Sequence, residues 1–240
     1  MIALVKKLVN SFLKVFNLRL IFDRKPIKRL SKILERFNID LIFDIGANDG
    51  EFAQTILSGG YQGRIVSFEP TSDAYESLKI NASKYANWIV HDQVALGNED
   101  SMVEINIAGN NAASSSILEM GETHKESAPS SKYISVENVR QIKLDSIFKK
   151  YASNENQVML KIDVQGYEEQ VILGIQQNIK DIRIIKLECS IVSLYEKDKT
   201  YEFYFDWLKR LGYVLYDIEP GHGNIEKGQL LQFDAIFVRL

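Results

Sequence analysis

A chain of 240 residues, 45% apolar and 25% charged, suits one α/β domain with a modest extension and can bury a real core. Its formal net charge of -3 argues against a generally cationic nucleic-acid binder, although a local basic patch stays open. Cys189 is the only cysteine, which excludes an intrachain disulfide and a thiolate zinc cluster; a small buried apolar residue is its expected role.

Met1 to Phe22 are apolar but interrupted by Lys6, Lys7, Lys14 and Arg19. No run there approaches the roughly 20 residues that span a bilayer. Nor does positive charge precede a continuous apolar stretch, as it would in a secretory signal. Val5, Leu8, Val9, Phe12, Leu13, Phe16 and Leu20 fall near one helical face. Residues 1–36 are therefore expected to form an amphipathic helical extension. It would pack on the domain or a dimer mate, or rest as a basic helix on a membrane surface.

From Ile39 onward, β-rich runs alternate with helical patterns, the mark of a mainly parallel sheet with crossover helices. Strands are expected at Leu41–Ile45, Arg64–Glu69, Trp88–Ala95, Val158–Asp163, Ile182–Glu188, Tyr213–Ile218 and Phe233–Val238. Helices are expected near Glu51–Leu57, Ser72–Tyr85, Tyr167–Ile179 and Tyr201–Leu211. In the last of these, Phe203, Tyr204, Trp207, Leu208 and Leu211 make a core-facing stripe, and Gly212 caps it. Residues 101–142 break the alternation. Ser101–Ile107 and Tyr133–Ile142 look extended, and the polar stretch Asn110–Ser131 between them reads as an inserted loop over the active site.

Three motifs carry chemistry. In the first, the strand Leu41–Ile45 runs into the turn Gly46-Ala47-Asn48-Asp49-Gly50, whose backbone N–H groups could face an anion. Gly46 would let a ligand approach the backbone, and Gly50 would permit unusual dihedrals or close packing. The two glycines lack the G-x-G-x-x-G spacing of a dinucleotide site. Asp44, just before the turn, could bond a ligand ammonium, which S-adenosylmethionine carries and NAD does not. The second motif places Glu69 at a strand end about 20 residues further on, where a carboxylate accepts two ribose hydroxyls. Pro70 stops that strand, and Asp92 or Gln93 is placed to bond an adenine amino group. The third, Leu160 to Glu168, delivers Asp163 to a strand tip outside which ligands of open α/β sheets bind. Glu188 ends the following strand, so the two carboxylates could be neighbours.

The set DIGANDGEFA, VSFEP, VALGNED, LKIDVQGYEEQVILG and LLQFDAIFVR resembles the FkbM family of S-adenosylmethionine-dependent methyltransferases, over about Phe37 to Leu240. The resemblance implies a class I, Rossmann-like fold, with a seven-stranded, mostly parallel sheet whose last strand is antiparallel. It implies S-adenosylmethionine as cofactor and hydroxyls of sugars or polyketide products as acceptors. Carried over by position, Asp44, Gly46, Asn48, Gly50 and Glu69 would contact the cofactor, with Asp163 at the catalytic end; Ala47, Pro70 and Asp163 are further expected cofactor contacts. The family usually reads aspartate-valine-glutamate-glycine where this chain has Gln165.

An alcohol is a poor nucleophile until its proton leaves, so a base or a Lewis acid is needed. Asp163, Glu188 and Glu168 are the candidate bases, and His222 is a longer shot. A divalent metal held by Asp163 and Glu188 is the less favoured variant, and no metal ligand set is assigned. The expected activity is O-methylation of a small-molecule or glycan acceptor, not a nucleic acid. The setting is cytoplasmic, with peripheral membrane contact through the N-terminal helix and a homo-oligomer as open features. A nicotinamide-dependent oxidoreductase and a non-catalytic binding module of the same fold are the competing readings.

Overall fold

The computed structural model describes residues 26–240, so the apolar face expected over residues 5–20 lies outside the described residues. The first described helix, α1 (Pro26–Arg36), buries Leu30, Ile33 and Leu34 at helical spacing. These side chains join the core that also takes Ile42 and Ile56, so α1 packs on the residues that follow position 36. Arg29 ties it down with a 3.0 Å ion pair to Asp217.

The main sheet is built from β1 (Leu41–Ile45), β2 (Arg64–Phe68), β3 (Trp88–Val90), β4 (Val158–Ile162), β5 (Ile182–Ser190), β6 (Tyr213–Pro220) and β7 (Gln232–Arg239). Its order is β3-β2-β1-β4-β5-β7-β6. The first five strands of that order run parallel, while β7 is antiparallel to both β5 and β6. Successive strand residues face opposite sides. Phe43, Ile45, Leu160 and Ile162 therefore enter one core, and Ile42 and Met159 the other. A sheet buried on both faces needs apolar residues throughout. Asp44 and Lys161 break that rule, and they stand opposite each other in register.

The crossover helices are α2 (Glu51–Ser58), α3 (Ser72–Ala82), α4 (Leu144–Tyr151), α5 (Glu168–Leu173) and α6 (Tyr201–Arg210). Helix α4, not anticipated from the sequence, buries Leu144, Phe148 and Tyr151 along one face. The helix expected over Tyr167–Ile179 stops at Leu173. The Asp145 carboxylate takes the N–H groups of Gln177 and Asn178, which pulls that backbone out of a helical ladder. The strand expected over Trp88–Ala95 also divides. Gln93 bonds the Pro70 carbonyl, and Ala95–Leu96 then leaves for a second, three-stranded sheet with Tyr133–Ile142 and Ser101–Ala108. The polar stretch between those two longer strands contains the short helix Glu122–Ser127.

Candidate active site

At the carboxyl ends of β1, β2 and β4 the structure opens into a cleft of about 850 Å³. That is the upper part of the range for small-molecule sites and leaves room for a cofactor beside an acceptor. Its walls are the β1 turn, Glu69 to Thr71, Lys161, Asp163 to Gln165, and residues of the insertion from Asn110 to Ile117. Asn48 reaches across to the insertion, donating from Nδ2 to the Asn111 carbonyl at 3.3 Å.

In the β1 turn every backbone N–H is already used inside the protein. Those of Gly46 and Ala47 donate to the Phe68 carbonyl, and that of Gly50 to the Ala47 carbonyl. Asn48 N–H donates to Glu69 Oε2 at 2.8 Å, and Asp49 N–H to Asn48 Oδ1 at 2.7 Å. The anion-facing role expected of the turn is thus overturned, and with it the seat a dinucleotide pyrophosphate would need. The close approach at Gly46 is likewise internal. Its φ is +69°, and a Cβ there would lie 1.8 Å from the Asp163 carbonyl oxygen.

Glu69 is buried at the mouth of β2 and lines the cleft. Its Oε1 accepts from both the N–H and the hydroxyl of Thr71, at 2.9 and 2.6 Å. These bonds and the one from Asn48 fix the carboxylate, while burial raises its pKa against their pull. Oε1 is filled by Thr71, while Oε2, which accepts only the Asn48 N–H, keeps capacity for a further donor such as a ribose hydroxyl.

Asp44 does not face the cleft, contrary to expectation. It is fully buried, accepts from the Ser67 hydroxyl at 2.9 Å, and lies 3.3 Å from Lys161 Nζ. Lys161 also donates to the Gly46 carbonyl at 2.8 Å and lies 3.6 Å from Asp163 Oδ2. Burial pulls the Lys161 pKa down, but the Asp44 and Asp163 carboxylates outweigh it and raise it overall, so the ammonium stays charged. One lysine thereby ties the turn, the buried aspartate and the tip of β4 together.

Asp163 reaches the cleft with its side chain 35% exposed. Gln165 bridges it to Glu188, with Nε2 donating at 2.8 Å to Asp163 Oδ1 and at 3.0 Å to Glu188 Oε2. The two carboxylates are thus neighbours. The group between them is a hydrogen-bond donor, which does not suit a shared divalent cation. Among the described residues, no three His, Cys, Asp or Glu side chains converge as a ligand set. Glu188 is half-buried behind Gln165, and Gln232 donates to its Oε2 at 2.8 Å.

Glu168, expected as a base, instead holds the loop after β4. It is buried away from the cleft, and its Oε1 accepts the N–H groups of Val164 and Gly166 at 3.0 and 3.2 Å. Burial pushes its pKa up to about 7 from 4.5, against the pull of those N–H groups. Because the folded value lies above the unfolded one, its contribution to stability is full below pH 4.5 and is lost as pH rises through about 7. Glu168→Ala should cost about 2–4 kcal/mol by leaving two N–H groups unpaired. Glu168→Gln should keep the fold and flatten the decline in stability between pH 5 and 8. Urea unfolding at both pH values checks this, and an unchanged slope in Glu168→Gln would refute it.

Three other assignments are not brought to the site. The Asp92 side chain is 92% exposed and lies outside the cleft. Gln93 is engaged with the Pro70 carbonyl and the Ser72 hydroxyl. His222 stands 3.0 Å from the Ser127 hydroxyl and stacks on His124, also outside the cleft. Pro70 does line it. Lys161, Tyr195, Gln232 and Ser116 join the site without having been singled out by any sequence motif. A lone lysine inside the apolar run of β4 was the available signal for Lys161; the other three come from distant segments and carry none.

The strand order, the antiparallel β7 between β5 and β6, the glycine turn after β1 and the acid ending β2 define a class I, Rossmann-like methyltransferase. The chain matches the family model described as the Methyltransferase FkbM domain over residues 44–215. It belongs to that family and is an S-adenosylmethionine-dependent methyltransferase. Solved structures with a similar chain path include an rRNA methylase from Streptococcus thermophilus, at 8% identity and TM-score 0.49, covering 92% of this chain and 99% of that one. An uncharacterized protein from Listeria monocytogenes matches at 7% identity and TM-score 0.48, covering 91% and 68%. TrmK from M. capricolum, in complex with S-adenosyl-homocysteine, matches at 8% and 0.47, covering 92% and 69%. Likeness this distant carries no argument about the acceptor. A search of curated proteins finds no match.

Proposed function

We propose that this methyltransferase acts on a hydroxyl oxygen of a sugar or glycan, with Asp163 as proton acceptor and Glu69 as the ribose-binding carboxylate. The observation that carries the reading is Asp163 itself: a carboxylate at the tip of β4, open to the cleft and held by Lys161 and Gln165. A hydroxyl needs such a group to take its proton before it can attack carbon. The insertion side of the cleft is lined by Asn110, Asn111, Ser115 and Ser116, a polar wall that suits a polyhydroxylated acceptor.

When bound, S-adenosylmethionine supplies an electrophilic methyl group on a sulfonium whose sulfur takes the electron pair of the broken bond. The chain supplies placement and proton handling. Glu69, fixed by Asn48 and Thr71, would accept a ribose hydroxyl, while Lys161 holds the Gly46 turn against β4. Asp163 would receive the acceptor's proton as its oxygen attacks. Holding both reactants in line can supply roughly 7–11 kcal/mol of the barrier.

No helix among the described residues is long and apolar enough to cross a membrane. Placement in the cytoplasm, with residues 1–22 touching a membrane that carries a lipid-linked acceptor, belongs to the same proposal and rests on sequence alone. A tritiated-methyl screen over nucleotide-linked and lipid-linked glycans should label one class of acceptor in the wild type and none in Asp163→Asn. Label on amines or nucleic acid alone would overturn the assignment.

A further inference from the structure

The loop after β4 contains a side chain that neither ribose binding nor proton transfer explains. Gln165 sits at φ +56°, in the left-handed region that few non-glycine residues occupy. Both N–H bonds of its amide go to carboxylates, one on Asp163 and one on Glu188. Its Oε1 accepts the Tyr195 hydroxyl at 2.6 Å, and its backbone carbonyl accepts the Ser116 hydroxyl at 2.7 Å. Burial pushes the Tyr195 hydroxyl pKa up, so it stays a donor. The amide therefore has one satisfactory orientation; turned over, it would set its oxygen against two carboxylates.

We propose that Gln165 is the positioning residue that clamps Asp163 and Glu188 into one hydrogen-bonded pair, standing where a divalent cation would have to sit and leaving Asp163 a metal-free proton acceptor. The proposal rests on the reading of Asp163 given above. The acceptor's O–H bond breaks, its proton goes to an Asp163 oxygen, and the bonding pair stays on the acceptor oxygen. Gln165 acts through Asp163, whose carboxylate it holds.

The surroundings explain why an amide serves here better than a third carboxylate. Lys161 on β4, Glu168 on α5, Lys186 on β5 and Asp234 on β7 all lie around the pair, together with Tyr195. Burial, then the charges of Asp163, Glu168 and Asp234, raise the Glu188 pKa well above the usual carboxylate range. A further negative charge at position 165 would meet this repulsion with only the Tyr195 hydroxyl donating to it, unless a cation enters.

Gln165→Glu and Gln165→Leu in the full chain test the proposal. By calorimetry the wild type should bind no Mg²⁺ at millimolar concentration. Gln165→Glu should bind it, lose stability as pH rises from 5 to 8, and regain that stability when Mg²⁺ is added. Gln165→Leu should bind no Mg²⁺ and lose about 10–100-fold in kcat, the scale expected when a reacting group is misplaced, with KM for S-adenosylmethionine changed less than about threefold. Mg²⁺ binding by the wild type, wild-type pH behaviour and no Mg²⁺ affinity in Gln165→Glu, or full kcat in Gln165→Leu would each overturn it. The Mg²⁺ and unfolding measurements need no acceptor. If they come out as expected while no hydroxyl is methylated, the clamp stands and the acceptor assignment falls.

Discussion

Replacing Glu69 by alanine should lower affinity for S-adenosylhomocysteine by about 100-fold or more, with the fold retained. A ribose hydroxyl donating to a carboxylate contributes roughly 1.5–3 kcal/mol, and 1.4 kcal/mol is about tenfold in affinity. The loss has a second source. Glu69 accepts the N–H groups of Asn48 and Thr71, so its removal also loosens the β1 turn and the start of α3. Glu69→Gln separates the two effects, since its carbonyl oxygen can keep one of these bonds; its loss in affinity should be smaller, near tenfold. Calorimetry on both variants reads the difference, and an alanine variant within threefold of wild type would remove Glu69 from the cofactor site.

Gly46→Ala should be the most damaging of the glycine-to-alanine changes, costing more than about 4 kcal/mol, a loss that marks special backbone strain or forced overpacking. The backbone is left-handed at +69°, and the added carbon would lie 1.8 Å from the Asp163 carbonyl oxygen. That obstacle is backbone, so relief requires parting β1 from β4 at the junction where Lys161 binds. Gly50→Ala, at φ +89°, meets the buried side chains of Trp88 and Leu78 and not backbone; about 3–4 kcal/mol is expected from strain and overpacking together. Gly60 provides the control, with φ +97° but nothing within 4 Å of an added carbon. Its alanine variant should cost only about 1–2 kcal/mol of backbone strain. Urea unfolding of the three variants should reproduce that order, and a Gly46→Ala protein as stable as Gly60→Ala would contradict it.

The fold was legible because strand patterns are local. Runs such as Leu41–Ile45 and Val158–Ile162 bury every residue, and their boundaries follow from glycine and charge at their ends. The site was legible only in part, because position along a strand says nothing of what a charge meets across it. Asp44 looked like a ligand group since it precedes the turn, yet the parallel register sets Lys161 opposite and the pair neutralise one another inside the core. Glu168 looked like a base since it follows Asp163, yet the loop folds back so that its carboxylate binds its own backbone. Glu69 and Asp163, by contrast, end strands whose tips open on the cleft, and strand ends are where an α/β sheet exposes side chains to ligand. Gln165 was visible as a departure from the family pattern. Its meaning needed Tyr195 and Glu188, which reach it from 30 and 23 residues away.

The most direct measurement is the structure of the protein crystallised with S-adenosylhomocysteine. The adenosyl ribose is expected within hydrogen-bonding distance of Glu69, the sulfur facing Asp163, and the N–H groups from Gly46 to Gly50 still bonded as they are now. A ligand bound by those freed N–H groups, or seated away from Glu69 with Asp163 turned from it, would contradict that placement.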